Sequence, residues 1–251
     1  MSKTYRDILK WGDKREQEID SSTLKVVMEK FNFTEADLQI KHLPGNEEVK
    51  LEQASELTHS QLDKLKKIVG EENVQTDDYS RANFSYGKYY GELLKLRKGN
   101  IPNPPDAVVS PRSNEEVISI VDFCHKKKIA LVPVGGQSSV TRGLETTQGG
   151  IALNMNKHMN QIVQLNAENM TVKVQAGMLG PDLEKYLNER GFSCGHFPQS
   201  FEYSTVGGWV AARGAGQAST GYGNISELTV ALKAVTPVGV IENKDYPDHA
   251  Q

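Results

Sequence analysis

The sequence predicts an α+β fold. Three observations carry this: a change of composition near residue 100, a strand–helix–strand pattern over 107–134, and closely spaced strand candidates after residue 150. Residues 1–100 hold 35 of the 61 charged residues but 6 of the 22 glycines, whereas 101–251 hold 26 charges and 16 glycines. The first stretch reads as a helical N-terminal region over 1–95, rich in solvent-facing charge. The second, 96–251, reads as a tight strand-and-loop structure. Between them Ile101-Pro102-Asn103-Pro104-Pro105 cannot be helical and forms a stiff connection.

In the first stretch a helix is expected to begin near Thr34, before Glu35 and Asp37. Thr58-His59-Ser60-Gln61 has the form of a capping box, with Leu62, Leu65 and Val69 on one face and Gly70 as the stop. In the second, Ala107–Val109 is a short strand and Ser113-Asn114-Glu115-Glu116 a second capping box. The helix that follows carries Val117, Ile120, Val121 and Cys124 at i, i+3, i+4 and i+7. Ile129–Val134 is an apolar strand, so the unit favours a parallel pair joined by a right-handed crossover. Further strands are expected at 151–155, 162–165 and 171–176, as an antiparallel sheet. Pro181 and Gly191 frame a helix at 181–190. A short helix near 205–212 and two strands around Thr236-Pro237-Val238-Gly239 complete the reading.

The 251 residues suffice for one large or two small domains with a buried core. With 24% charged residues and a net charge of −3, nothing points to nucleic acid or to an acidic tail. No apolar run approaches the roughly 18 residues of a membrane span, and the polar first twenty residues do not read as a secretory signal. Cys124 and Cys194 make neither a disulfide framework nor a metal box, so no metal is expected and a reducing compartment is the simplest reading.

Three segments could carry binding chemistry. In Pro133-Val134-Gly135-Gly136-Gln137-Ser138-Ser139, paired glycines after a strand let the backbone turn sharply and present successive N–H groups to a diphosphate, with two hydroxyls nearby. A plain glycine-rich turn would read the same. The G-x-G-x-x-G spacing and the G-K-[ST] ending are both absent, so a nucleotide or flavin would be held another way. The second segment, Gln199-Ser200-Phe201-Glu202-Tyr203-Ser204-Thr205 before Gly207-Gly208-Trp209, offers hydroxyls and close backbone ahead of a helix start that favours negative charge; a packing turn is the alternative. In the third, Ala212-Arg213-Gly214-Ala215, Arg213 could reach a phosphate or serve as a surface ion-pair residue. His196, His158, Cys124 and Cys194 read as structural, and no catalytic residue is assigned.

Together, Pro133–Ser139, Gly195–Leu228 and Thr236–Gly239 resemble the alkyldihydroxyacetonephosphate synthase group of FAD-linked oxidases, whose flavin domain is of the p-cresol methylhydroxylase/vanillyl-alcohol-oxidase (PCMH) type. Pro105–Pro111, Leu96–Gly99 and Leu9-Lys10-Trp11-Gly12 also fit that pattern. The resemblance implies FAD lying between a parallel strand–helix–strand subdomain and an antiparallel-sheet subdomain. Its diphosphate loop would be Pro133–Ser139, its second FAD segment Gln199–Thr205 and its third Ala212–Ala215; no position in the sequence is singled out for a covalent link, so non-covalent attachment is expected. It further implies ether-lipid synthesis, in which the flavin displaces a fatty acid from acyl-dihydroxyacetone phosphate and a fatty alcohol takes its place, with no net redox change.

The sequence departs from the family at Gln137, where a glycine is usual, and at Gln199, where an aspartate is usual. It also stops at Gln251, ahead of a further flavin segment, a substrate-binding cap and the family's catalytic tyrosine and histidines. The expected partners are therefore FAD and a lipid or small-molecule substrate bound through a cap outside this chain; a homodimer is compatible with the pattern. Two other readings stand beside this one: an FAD-linked oxidoreductase of a 2-hydroxy acid or alcohol, and a truncated chain inactive alone. A cytoplasmic location is expected, or a peroxisomal one in a eukaryote, although no N-terminal peroxisomal address is seen.

Overall fold

The computed structural model describes residues 3–9, 19–39, 45 and 47–243. Lys10, Trp11 and Gly12 of the Trp-Gly start lie outside the described residues. In chain order come α1 (Tyr5–Leu9), α2 (Ser21–Phe31), α3 (Glu35–Leu38), α4 (His59–Val69), β1 (Val74–Gln75), α5 (Asp78–Asn83), α6 (Tyr90–Arg97), β2 (Ala107–Val109), α7 (Asn114–Lys127), β3 (Leu131–Val134) and β4 (Ile151–Asn154). Then follow β5 (Ile162–Asn166), β6 (Thr171–Val174), α8 (Gly180–Asn188), α9 (Val206–Ala212), α10 (Ser219–Tyr222), α11 (Ile225–Leu228), β7 (Lys233–Thr236) and β8 (Gly239–Glu242). The α+β class holds.

The first subdomain is a four-stranded sheet in the order β1-β2-β4-β3. β2 and β3 are each parallel to β4, and β1 runs antiparallel to β2 at the edge. The expected pair of β2 and β3 is thus corrected: both lie in one parallel sheet, but β4 sits between them. The reading of 151–155 as part of an antiparallel sheet is corrected for the same reason. Ile151-Ala152-Leu153 is apolar at every position, as a strand buried on both faces must be, and it takes the centre of the parallel sheet. Side chains alternate across this sheet. Ala107, Val109, Ile151 and Leu153 pack with α4 and α7 on one face, while Val108, Val134 and Ala152 pack with Phe84 and Leu144 on the other.

The two capped helices form as their sequences direct. Thr58 Oγ1 accepts from the Gln61 N–H at 3.3 Å, and Gln61 Oε1 accepts from the Thr58 N–H at 2.8 Å. Ser113 Oγ accepts from the Glu116 N–H at 3.2 Å, but the Glu116 carboxylate turns to Arg112, accepting its backbone N–H at 2.7 Å and its guanidinium at 2.9 Å. The second box is therefore only half closed, because a cation one residue ahead of the cap competes for the carboxylate. After α7 the chain turns through Lys128 in the left-handed region, so β3 begins at Leu131 and not at Ile129.

The charged N-terminal stretch does not stand apart from this sheet. Leu65, Val69 and Val74 share one core with Val109, Ile120 and Leu153. Asp106, buried, ties the region together: it accepts from the Glu56 N–H at 2.7 Å and the Gly150 N–H at 2.6 Å. Beside it Arg81, also buried, donates from Nε to the Pro105 carbonyl at 2.7 Å. The second subdomain is built on the antiparallel hairpin β5–β6, while the hairpin β7–β8 lies against α7, with Val235 packed on the first core. Met178, Leu183, Leu187, Trp209 and Ile225 form its core between β5–β6 and helices α8, α9 and α11.

Candidate functional site

The Pro133–Ser139 segment leaves the sheet at the carboxyl end of β3, where open α/β sheets bind ligands. Among the described residues, the backbone N–H groups of Gly135, Gly136, Gln137, Ser138 and Ser139 donate to no protein acceptor. Five successive unspent donors on a half-exposed turn are the physical form of an anion seat. Gln137, at the family's usual glycine position, has φ +59°. A non-glycine residue there carries about 1–2 kcal/mol of strain, against about 0.5–1 kcal/mol of chain entropy for glycine. Gln137→Gly is therefore expected to raise stability by about 0.5–1 kcal/mol in urea unfolding. A drop in the midpoint would show that the Gln137 side chain does more than tolerate its backbone.

The second segment forms the wall of this turn. A Cβ on Gly135 would lie 2.2 Å from Thr205 Oγ1, and one on Gly136 would lie 1.8 Å from the Tyr203 carbonyl oxygen. Only glycines let the two turns approach this closely. Thr205 caps α9, its Oγ1 accepting from the Gly208 N–H at 3.3 Å. Ser204 Oγ takes the Trp209 Nε1–H at 2.6 Å and gives its own proton to the Ser200 carbonyl at 2.8 Å. Phe201 stacks on Trp209. The backbone of Tyr203 and Ser204 and the side chain of Thr205 thus form the wall, braced by Phe201 and Ser204 Oγ against Trp209, while Gln199 and Glu202 stay exposed and Ser200 and Tyr203 half-buried.

The third segment meets the approach to the second. The Ile225 N–H donates to the Gly214 carbonyl at 3.1 Å, and the Gln217 N–H to Phe197 at 2.9 Å. Ala212 and Ala215 are exposed. Arg213 ends α9 at φ +51°, exposed, and makes no ion pair among the described residues. His196, beneath this segment, is fully buried with neither ring nitrogen partnered, its ring set edge-on to Trp209 at 4.9 Å between centroids. Burial holds its pKa below the ordinary value of 6.5. The folded protein then binds fewer protons at this site than the unfolded chain, so stability falls as pH drops below 6.5 until the folded pKa is passed. His196→Leu is expected to leave stability at neutral pH unchanged or higher and to flatten its decline between about pH 6.5 and 5. An unchanged pH profile in the variant counts against this.

His158 donates from Nε2 to Asn73 Oδ1 at 2.8 Å and has a structural role. Cys124 is core, and burial raises its thiol pKa to about 11. No group of three or more potential metal ligands occurs among the described residues.

The profile of the FAD binding domain family matches residues 105–243. The chain belongs to this FAD binding domain family. The chain is similar to the alkyldihydroxyacetonephosphate synthase of Trypanosoma brucei brucei, at 34% identity over 227 residues, covering 87% of this chain and 37% of that protein. A solved alkyldihydroxyacetonephosphate synthase superposes with a TM-score of 0.84 at 28% identity, over 96% of this chain and 48% of the other. A solved p-cresol methylhydroxylase with substrate bound shares the fold, with a TM-score of 0.60 at 18% identity over 75% of this chain and 36% of the other. The chain thus spans less than half the length of these relatives. No helix among the described residues is long and apolar enough to cross a membrane.

Proposed function

We propose that this chain is the FAD-holding part of an alkyldihydroxyacetonephosphate synthase-like flavoenzyme and binds FAD non-covalently. The observation that carries the reading is the run of five unspent N–H donors at the end of β3, closed on one side by Tyr203–Thr205. Such donors suit a diphosphate, since they supply charge stabilisation without a lysine. Gly135–Ser139 hold the diphosphate. Backbone groups of Gln199–Thr205 line the path beside it, and Arg213, exposed and without an ion pair among the described residues, lies within the third FAD segment. FAD supplies the reactive centre, and the protein orients it and excludes water. The substrates are an acylated dihydroxyacetone phosphate and a fatty alcohol.

Equilibrium dialysis of the chain with FAD tests the first part: saturable binding, with all flavin released on acid precipitation, is expected. Flavin that stays on the precipitated protein would overturn non-covalent attachment, and absence of binding would overturn the site. Ether formation by the flavin-loaded enzyme from the two substrates, without lasting bleaching of the flavin, supports the synthase. Bleaching by a 2-hydroxy acid with no ether product sinks it in favour of an oxidoreductase.

A further inference from the structure

The other side of the glycine turn is closed by residues that precede the family match. After α5 the chain folds back through Phe84–Tyr89 and passes beneath Ser139. Gly87 is buried there, and a Cβ on it would lie 2.2 Å from the Ser139 carbonyl oxygen and 3.3 Å from its Cβ. The Lys88 N–H donates to the same carbonyl at 2.7 Å. The turn is set in its place by Glu92 of α6, which is 1% exposed. Its carboxylate accepts the Tyr89 N–H through Oε2 at 3.3 Å, while Oε1 is buried with no hydrogen-bond partner among the described residues.

Burying a carboxylate with a single backbone donor and no direct cation is costly, and here the cost holds a turn whose outer face grips one carbonyl. Peptide groups are planar and trans, so pinning the Ser139 carbonyl toward Lys88 aims the following N–H, that of Val140, the opposite way. The segment is tied again downstream. Glu145 accepts from Asn103 Nδ2 at 3.0 Å, and Thr146 Oγ1 donates to the Asn103 carbonyl at 3.0 Å.

We propose that the Gly87–Lys88 turn, set by Glu92, is a positioning strap for the diphosphate loop, fixing the Ser139 peptide so that the preceding N–H groups stay turned toward the ligand. The proposal rests on the reading of Gly135–Ser139 as the diphosphate seat. It gives residues 86–92 of the charged N-terminal region a part in cofactor binding. Glu92 is a positioning residue and touches no ligand.

The test uses amide hydrogen exchange of the ligand-free chain together with titrations of FAD and ADP-ribose, which share the diphosphate. Glu92→Leu fills the same space without an acceptor. It is expected to speed exchange of the Lys88 N–H, which the Ser139 carbonyl holds, about tenfold and to raise both dissociation constants by a similar factor, about 1.4 kcal/mol of binding. Exchange in α7 and the unfolding midpoint should stay as in the wild type. Glu92→Gln keeps an acceptor oxygen and should restore most of the affinity. Gly87→Ala, which drives a methyl group at the Ser139 carbonyl, should weaken both ligands in the same way. Unchanged exchange of the Lys88 N–H in folded Glu92→Leu and Gly87→Ala proteins overturns the strap. So does failure of both variants to fold, which would make these residues pieces of the core. Wild-type binding with unweakened variants overturns the strap alone, whereas a wild type that binds neither FAD nor ADP-ribose overturns the strap and the cofactor reading together.

Discussion

Gly136→Ala is expected to destabilise the chain by about 3 kcal/mol and to weaken FAD binding at least about a hundredfold. The added Cβ would stand 1.8 Å from the Tyr203 carbonyl oxygen, 2.7 Å from its carbon and 3.0 Å from Ser204 Cα. All three are backbone atoms, so no side chain can swing aside. Neither turn can retreat cheaply. The second is pinned by hydrogen bonds from the Gly180 N–H to the Ser204 carbonyl (3.3 Å) and from the Val206 N–H to the Met178 carbonyl (2.9 Å). The first leaves β3 directly after Val134, whose carbonyl takes the Met155 N–H at 2.9 Å. Gly221→Ala, where nothing lies within 4 Å, is the control and should leave both measurements near wild type. Urea unfolding and equilibrium dialysis read the two effects. Wild-type affinity in Gly136→Ala would show that contact between the turns is irrelevant to the cofactor.

The second large effect is on folding. Asp106→Ala is expected to cost about 3–5 kcal/mol, with unfolding curves shifted far to lower denaturant. It removes an acceptor from the N–H groups of Glu56 and Gly150, both under 2.8 Å from the carboxylate. It also takes a negative charge from the surroundings of Arg81, which is nearly enclosed and whose other carboxylate neighbour, Asp78, is 3.9 Å away. A buried cation that loses its compensation costs far more than an exposed one. Asp106→Asn, which retains one acceptor oxygen, should lose roughly half as much. A loss below about 1 kcal/mol in the alanine variant would mean that Arg81 is compensated elsewhere.

Local signals carried most of the fold. Thr58, Gly70, Ser113 and the spacing of Val117, Ile120, Val121 and Cys124 marked α4 and α7 because caps and helical faces are set within a few residues. Strand order was not legible in the same way. That β4 inserts between β2 and β3 depends on partners far apart in the chain, and only its unbroken apolar run hinted at a central place. The glycine turn and its Tyr203–Thr205 wall were legible as separate segments, since each shows paired glycines and hydroxyls. Their contact was not, because it joins segments far apart in the chain and is made largely by the Tyr203 and Ser204 backbone, with the Thr205 side chain. Glu92 and Gly87 gave no sequence signal of any site. An acidic residue in a charged helix reads as solvated, and its burial appears only once α6 is packed on α1 and Tyr86. Gln137 was visible as an oddity, but its positive φ was set by the turn and not by its own preference.

The seat at the end of β3 has a floor from one subdomain and a side from the other, and neither polypeptide half contains it alone. A molecule lodged there presses the halves together, so occupancy and assembly are one equilibrium seen from two ends. Heating should melt the two subdomains in separate steps when the seat is vacant and in a single sharper step, at higher temperature, when it is filled.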